Sequence, residues 1–380
     1  MKRVRLFAPM VVILSTLLLG PSVASAAGRA DIFNVSVPVD ATAASANAAR
    51  ETARVDGQRH AFAALMERLT LARDRGKIPA PTDALLNDLV QGFEIANERR
   101  STVRYLATYT FQFRADMVER MLRDKGVPFA ETPSKPLMVL AVNDAASGPV
   151  LWDEPNPWRD AWTAASLPQG LVPLALPRAD AADVAAIDAA GAEGGSDAKL
   201  RAFVASYGGN DVLVARASLK ASSADISATR FVPGNPGGEQ NWVASYSVNP
   251  GESKGDFLVR AVLGTARQVE EAWIQANIID YSQSGTLTAT VPANDLQSWI
   301  AVRDRLASIP SIQRTDLNSL DRSKAVVTLH FVGGQAQLRS ALAQRDLDLN
   351  GSDANFVLAR RGAGSTPPPP PAPSESSSSR

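Results

Sequence analysis

The chain reads as a multi-domain protein of mixed α/β and α+β class, and three patterns carry that reading. Leu137–Val142 is a continuous apolar run, as a strand buried on both faces of a sheet requires. Apolar residues alternate at Phe33–Val39 and Ala325–Phe331, the mark of half-buried strands, whereas residues 43–72 and 256–276 carry a helical period. At 380 residues the chain is too long for one compact core.

Residues 1–26 read as a cleaved leader. Lys2, Arg3 and Arg5 precede an apolar run from Leu6 to Leu19, and Ala24-Ser25-Ala26 offers the small residues that a signal peptidase needs before Ala27. The run is about 14 residues, short of the roughly 20 that span a bilayer. No stable membrane span is expected after cleavage. The sequence has no cysteine, so it offers no disulfide, no thiol nucleophile and no residue for lipid attachment. These features predict a periplasmic protein that is not a lipoprotein.

An N-terminal α+β unit follows at 30–132. After the Phe33–Val39 strand, Gly57, Ala61, Leu65 and Leu69 form one helical stripe with Phe62 and Met66 beside it, and Arg50, Arg54, Arg59 and Arg68 fall mostly off it. Pro79 and Pro81 break the chain, and Thr82 suits a cap for a short helix through Leu89. Val103–Phe113 is a long strand with Tyr105, Ala107, Tyr109, Phe111 and Phe113 on one face. A helix from Ala115 stops at Gly126, giving β-α-α-β-β-α.

The α/β domain occupies 136–282. Strands at 137–142, 171–176 and 211–216 alternate with helices at 158–165, 181–190 and 197–207, the order of a parallel sheet. Two antiparallel strands, 226–231 and 242–248, flank the Pro/Gly-rich turn 233–238, and the helix at 256–276 closes the domain. Residues 284–361 read β-α-β-β-α-β, the order of a ferredoxin-like unit. Residues 362–380, with Pro367–Pro371 and a serine run, cannot bury a core and are expected to be a disordered tail.

Lysine plus arginine equals aspartate plus glutamate at 39 each, so loss of the three leader cations leaves a slightly acidic chain without charge blocks. That excludes nucleic acid as an expected partner. The densest cluster of chemically useful side chains is Leu151–Trp162, with three tryptophans and three carboxylates after the first strand of the α/β domain. Loops at that end of a parallel strand bind ligands in such folds. Two readings are open. In one, Asn143, Asp144, Trp152, Asp153, Glu154 and Asp180 line a crevice for a glycan or peptide, or Asp144, Asp153, Glu154 and Asp180 supply the paired carboxylates of a hydrolase. In the other, Trp158 and Trp162 share a helix face packed on the sheet, Asn156 caps that helix before Pro157, and Asp153 and Glu154 are solvated. His60 and His330 are too few and too far apart for a metal site or a triad. No catalytic residue, cofactor or metal is therefore assigned.

Several segments carry a resemblance. The exported start, Phe33–Val39, Phe62-Ala-Ala-Leu-Met-Glu-Arg-Leu69, Tyr109-Thr-Phe-Gln-Phe113, Leu122, Gly126, Pro128 and Pro136-Leu-Met-Val-Leu140 resemble an uncharacterised family of proteobacterial periplasmic proteins, known only as a domain of unknown function. The likeness extends to Tyr207–Val214, which is also similar at the level of fold to envelope assembly proteins of the curli-pore and Tol type. The resemblance implies a periplasmic α/β protein and assigns no residue a role. The expectation is a non-catalytic protein that acts through contacts with other, unidentified envelope proteins.

Overall fold

The computed structural model describes residues 32–194, 197–209, 211–232, 239–352 and 355–361. The leader, the turn at 233–238 and the tail at 362–380 lie outside the described residues. The architecture is mixed α/β with three sheets.

The first sheet forms from β1 (Asn34–Thr42), then, after α1 (Ala46–Leu69), a 3-10 turn (Ala72–Lys77) and α2 (Asp83–Leu89), from β2 (Val90–Arg100) and β3 (Arg104–Phe113). It is antiparallel in the order β1-β3-β2, and α3 (Ala115–Asp124) follows it. Ser45 caps α1 by accepting from the Ala48 N–H. Ala49, Ala53, Gly57, Ala61 and Leu65 recur every four residues and are buried against the sheet. The small members let the helix sit low, and a Cβ at Gly57 would stand 2.8 Å from Val39 Cγ1.

The middle sheet comprises β4 (Leu137–Ala145), β5 (Gly148–Val150), β6 (Leu174–Ala175), β7 (Val212–Leu219), β8 (Ser223–Phe231) and β9 (Gln240–Ser247). Its order is β5-β4-β7-β8-β9, with β6 also on β4. The β4 pairings to β6 and β7 are parallel, and the others are antiparallel. Helix α4 (Pro157–Ala164) and the long α8 (Lys254–Asn277) pack on one face, against Leu137, Val139 and Ala141. The other face, with Met138, Leu140 and Val142, carries the short helices α5 (Ala181–Ala186) and α6 (Ala189–Glu193) and then α7 (Asp197–Ser206). The strand expected at 171–176 shrinks to two residues, because Pro173 and Pro177 flank it and a carboxylate takes the N–H groups of Leu171 and Val172.

The third sheet departs from the ferredoxin-like order. β10 (Ser284–Pro292), α9 (Leu296–Ala307), β11 (Ile312–Leu320) and β12 (Lys324–Val332) form a split β-α-β, with β12 between the two parallel strands. After α10 (Gln335–Ala343), a hairpin of β13 (Leu347–Asn350) and β14 (Phe356–Arg360) replaces the single closing strand, and β14 runs parallel to β10. Because β13 and β14 are antiparallel, the last strand runs opposite to β13, and the sheet order is β11-β12-β10-β14-β13.

The first two sheets share a core. One apolar cluster runs from Ile32 and Leu65 through Phe129 and Leu137 to Trp273 and Ile274, whereas Leu287 to Leu358 form a separate one. Among the described residues, no helix is long and apolar enough to cross a membrane.

Candidate functional site

The Leu151–Trp162 segment takes the structural form of its two readings. Asn156 caps α4 by accepting from the Arg159 N–H at 3.0 Å, while its own amide donates to the carbonyls of Ala141 (3.3 Å) and Leu151 (3.1 Å). Trp158 and Trp162 are buried edge-to-face with centroids 5.9 Å apart, and Trp158 Nε1 donates to Ala215 O at 2.8 Å. Trp152 is half-buried, and its Nε1 donates to Ile187 O at 2.6 Å.

Of the remaining expected site residues, Glu154, Asp144 and Asp180 have local partners. Asp153 is exposed, and Glu154 pairs with Arg159. Asp144 pairs with Arg216 at 3.0 Å, and Arg216 also meets Glu193 at 3.2 Å. Asp180 caps α5 through the N–H groups of Ala182 and Asp183. Asn143 is buried, and among the described residues its Oδ1 meets no donor. None of these six residues lines the clefts described next.

A cleft of about 400 Å³ opens between the first two sheets. β1 contributes Val35 and Ser36, α1 contributes Ala64, Glu67 and Arg68, and the 3-10 turn contributes Arg75. Opposite stand the 166–170 loop and, on α8, Leu263, Arg267, Glu270 and Glu271. A second hollow of about 480 Å³ adjoins it, sharing Glu271 and reaching along α8 to Gln275, with Leu71, Arg73 and the β9 residues Asn241, Trp242 and Val243 as its walls. From Leu263 to Gln275 the trench follows α8 for about 18 Å.

The first cleft runs beside a free backbone edge. Among the described residues β1 pairs only with β3, and the Phe113 N–H donates to Phe33 O at 2.9 Å. Because bonded and non-bonded pairs alternate, Val35, Val37 and Val39 also bond inward, and Asn34, Ser36, Pro38 and Asp40 turn their backbone groups outward. Arg68 closes the beginning of that edge. Its guanidinium donates to Ile32 O, to Asn34 O at 2.9 Å and to Gln169 O at 2.6 Å, clamping β1 to the loop. Pro38 has no N–H, which blunts the far end. The outward N–H and C=O of Ser36 remain at the cleft.

Charge inside the cleft is unevenly satisfied. Arg68 is only 6% exposed, and burial pushes its pKa down to about 10 while Glu270 pulls it back up. Glu270 accepts from the N–H groups of Leu171 and, at 3.0 Å, Val172. Burial still holds its carboxyl above the ordinary value, against the lowering pull of those N–H groups and of Arg68. Arg75 donates to the carbonyls of Glu67 (3.1 Å) and Thr70 (2.9 Å), but its Nε is buried without an acceptor. Arg267 is exposed and makes no ion pair among the described residues. Arg68, which falls off the apolar stripe of its helix in the sequence, is nonetheless buried. Gln169 O and the strand carbonyls give the buried guanidinium the acceptors that solvent would have supplied.

Among the described residues, no group of three or more histidine, aspartate or glutamate side chains is placed to hold a metal ion. No family model matches the chain, and no curated protein matches it. Among solved structures, the lipoprotein GNA1162 from Neisseria meningitidis is similar at 18% identity over 36% of this chain and 98% of its own, with a TM-score of 0.26. That likeness is too slight to carry an argument.

Proposed function

We propose that this protein is a non-catalytic binding module of the bacterial envelope, exported by its leader, that holds an extended polypeptide segment of a partner protein in the cleft between α8 and β1. The outward backbone of Ser36 carries the reading. An extended chain laid beside β1 can exchange main-chain hydrogen bonds with that residue, as in strand addition. Leu167, Pro168, Leu263 and Ala64 offer apolar walls for alternate side chains. The orphaned Arg75 Nε and the unpaired Arg267 favour a segment that carries an aspartate or glutamate.

Selection of peptides on the mature protein from a random library tests this. The expected binders are extended and carry a carboxylate. Ser36→Pro removes the outward N–H without touching the β1–β3 ladder, as Pro38 does naturally, and should weaken binding by about tenfold, the equivalent of one hydrogen bond of about 1.4 kcal/mol. Arg267→Glu should reverse the charge preference. Binders that ignore both substitutions while both variants remain folded by circular dichroism would sink the proposal.

A further inference from the structure

β11 leaves one edge of the third sheet open. Among the described residues it pairs only with β12. The Val332 N–H donates to Ser311 O and the Asp321 N–H to Lys324 O, each at 2.9 Å, and bonded and non-bonded pairs alternate between those ends. Arg314 and Asp316, opposite His330 and Thr328, therefore bond inward, whereas Thr315 and Leu317, opposite Leu329 and Val327, turn their backbone groups outward. Bulges between Ile312 and Arg314 and between Leu317 and Ser319 bracket the stretch. An edge broken on both sides resists long intruding strands and offers one short segment for pairing.

The side chains along that segment differ on its two faces. Leu317 and Leu320 stand opposite the buried Val327 and Ala325, on the core side of the sheet, yet remain 47% and 45% exposed. The Ala293 N–H donates to Ser323 O at 3.0 Å, so the start of α9, with the exposed Leu296, lies at the same end of the sheet as Leu320. On the open face Arg314 donates to Asp316 at 2.7 Å, and Asp316 also meets His330 Nε2 at 2.9 Å.

We infer that two copies of this chain join edge to edge through β11, antiparallel, about a two-fold axis at Thr315. The order Arg314-Thr315-Asp316 is self-complementary about its centre. In that register Thr315 faces Thr315 of the second copy as a bonded pair. Arg314 stands opposite Asp316 of the second copy, and Asp316 opposite its Arg314, as non-bonded pairs with Cα atoms about 4.5 Å apart, the closer kind. Opposite charges so placed stabilise the pairing, and like charges oppose it. Leu317 then faces Gln313 of the second copy, and about six main-chain hydrogen bonds join residues 313–317 of the two strands. Moving the axis to Asp316 would set two carboxylates against each other, and moving it to Leu317 would run the strands into the bulges. Charge and bulges thus select one register, and the two five-stranded sheets become continuous, with the helices of both copies on the same side. This contact does not depend on the cleft beside Ser36.

Sedimentation of the full mature protein from about 10 μM to about 1 mM, the span over which a small interface assembles, reads the association. The mass should approach double the monomer's at the top of that range. Asp316→Arg should hold the protein monomeric, and Arg314→Asp/Asp316→Arg should restore the dimer. Both side chains lie on the sheet surface, so the fold should tolerate the changes, which circular dichroism verifies. Because the chain has no cysteine, disulfide trapping adds a geometric readout. Thr315→Cys sits on the axis, where bonded pairs place Cα atoms about 5.5 Å apart, within reach of a disulfide. Leu320→Cys, exposed on the same edge, would lie roughly 30 Å from its mate, so the first variant should cross-link about tenfold faster or more. A parent that stays monomeric throughout, a dimer that persists in Asp316→Arg, a double variant that stays monomeric, or equal cross-linking at the two positions overturns the inference.

Discussion

Arg68 and Glu270 show how a single buried pair joins two sheets. Glu270 holds the loop after α4 by two backbone N–H groups, Arg68 holds the same loop by Gln169 O, and each faces the other's charge in a poorly solvated cleft. Such pairs contribute little net stability, but loss of one partner strands the other. The raised carboxyl of Glu270 has a definite sign. The folded state holds that proton more tightly than the unfolded state, whose ordinary value is 4.5, so the group's stabilising contribution is full below pH 4.5 and is lost as pH rises through the raised value. Relative to Glu270→Gln, which does not titrate, the parent should therefore lose stability as pH climbs above the unfolded-state value of 4.5. Urea unfolding of both proteins across that range measures the difference, and a flat or rising difference contradicts the sign.

At the scale of elements, close approach decides which substitutions are tolerated. Alanine at Gly57 should gain about 1 kcal/mol of helix propensity. It would also place a methyl 2.8 Å from Val39 Cγ1 and 3.4 Å from Phe111, atoms of a β-branched residue and a ring already packed in the core. Overpacking of this kind costs about 1–3 kcal/mol, so Gly57→Ala should lower the urea midpoint rather than raise it. A raised midpoint would mean that α1 can lift off the sheet without penalty. The same stripe shows what was legible in the sequence. Gly57, Ala61 and Leu65, the β4 run and Asn156-Pro157 each report a local environment, and each element appears where its period or cap places it. β2 was harder to read because it is an edge strand exposed on both faces, with Glu94, Asn97 and Glu98 breaking its alternation. The four-residue β13 is too short to show a period, and without it the last sheet looks like a simple ferredoxin-like order. The trench left no local trace. It assembles Ser36, Arg68, Gln169 and Glu270, residues far apart in the chain, and apolar period reports burial but not which elements meet.

At the scale of the molecule, the cores predict how the chain comes apart. The first two sheets are joined by one apolar cluster, with Trp273 on α8 donating its indole N–H to Thr132 O at 2.7 Å across their boundary. A trench between them is thus a cleft within one cooperative unit. The third sheet has its own closed core from Leu287 to Leu358 and meets the rest mainly through polar contacts: the Lys135–Asp346 pair, the Lys135 N–H on Gln344 at 2.9 Å, and Ser340 on Asn277 at 3.3 Å. Interfaces of that kind transmit little cooperativity. Calorimetry of the mature protein should therefore resolve two transitions, one for the unit through residue 282 and one for the unit at 284–361. Leu65→Ala and Leu329→Ala, each truncating a fully buried side chain, should cost about 2–5 kcal/mol apiece and lower only the transition of their own unit. A single transition, or one in which either substitution moves both, would mean that the polar seam couples the units as tightly as a shared core.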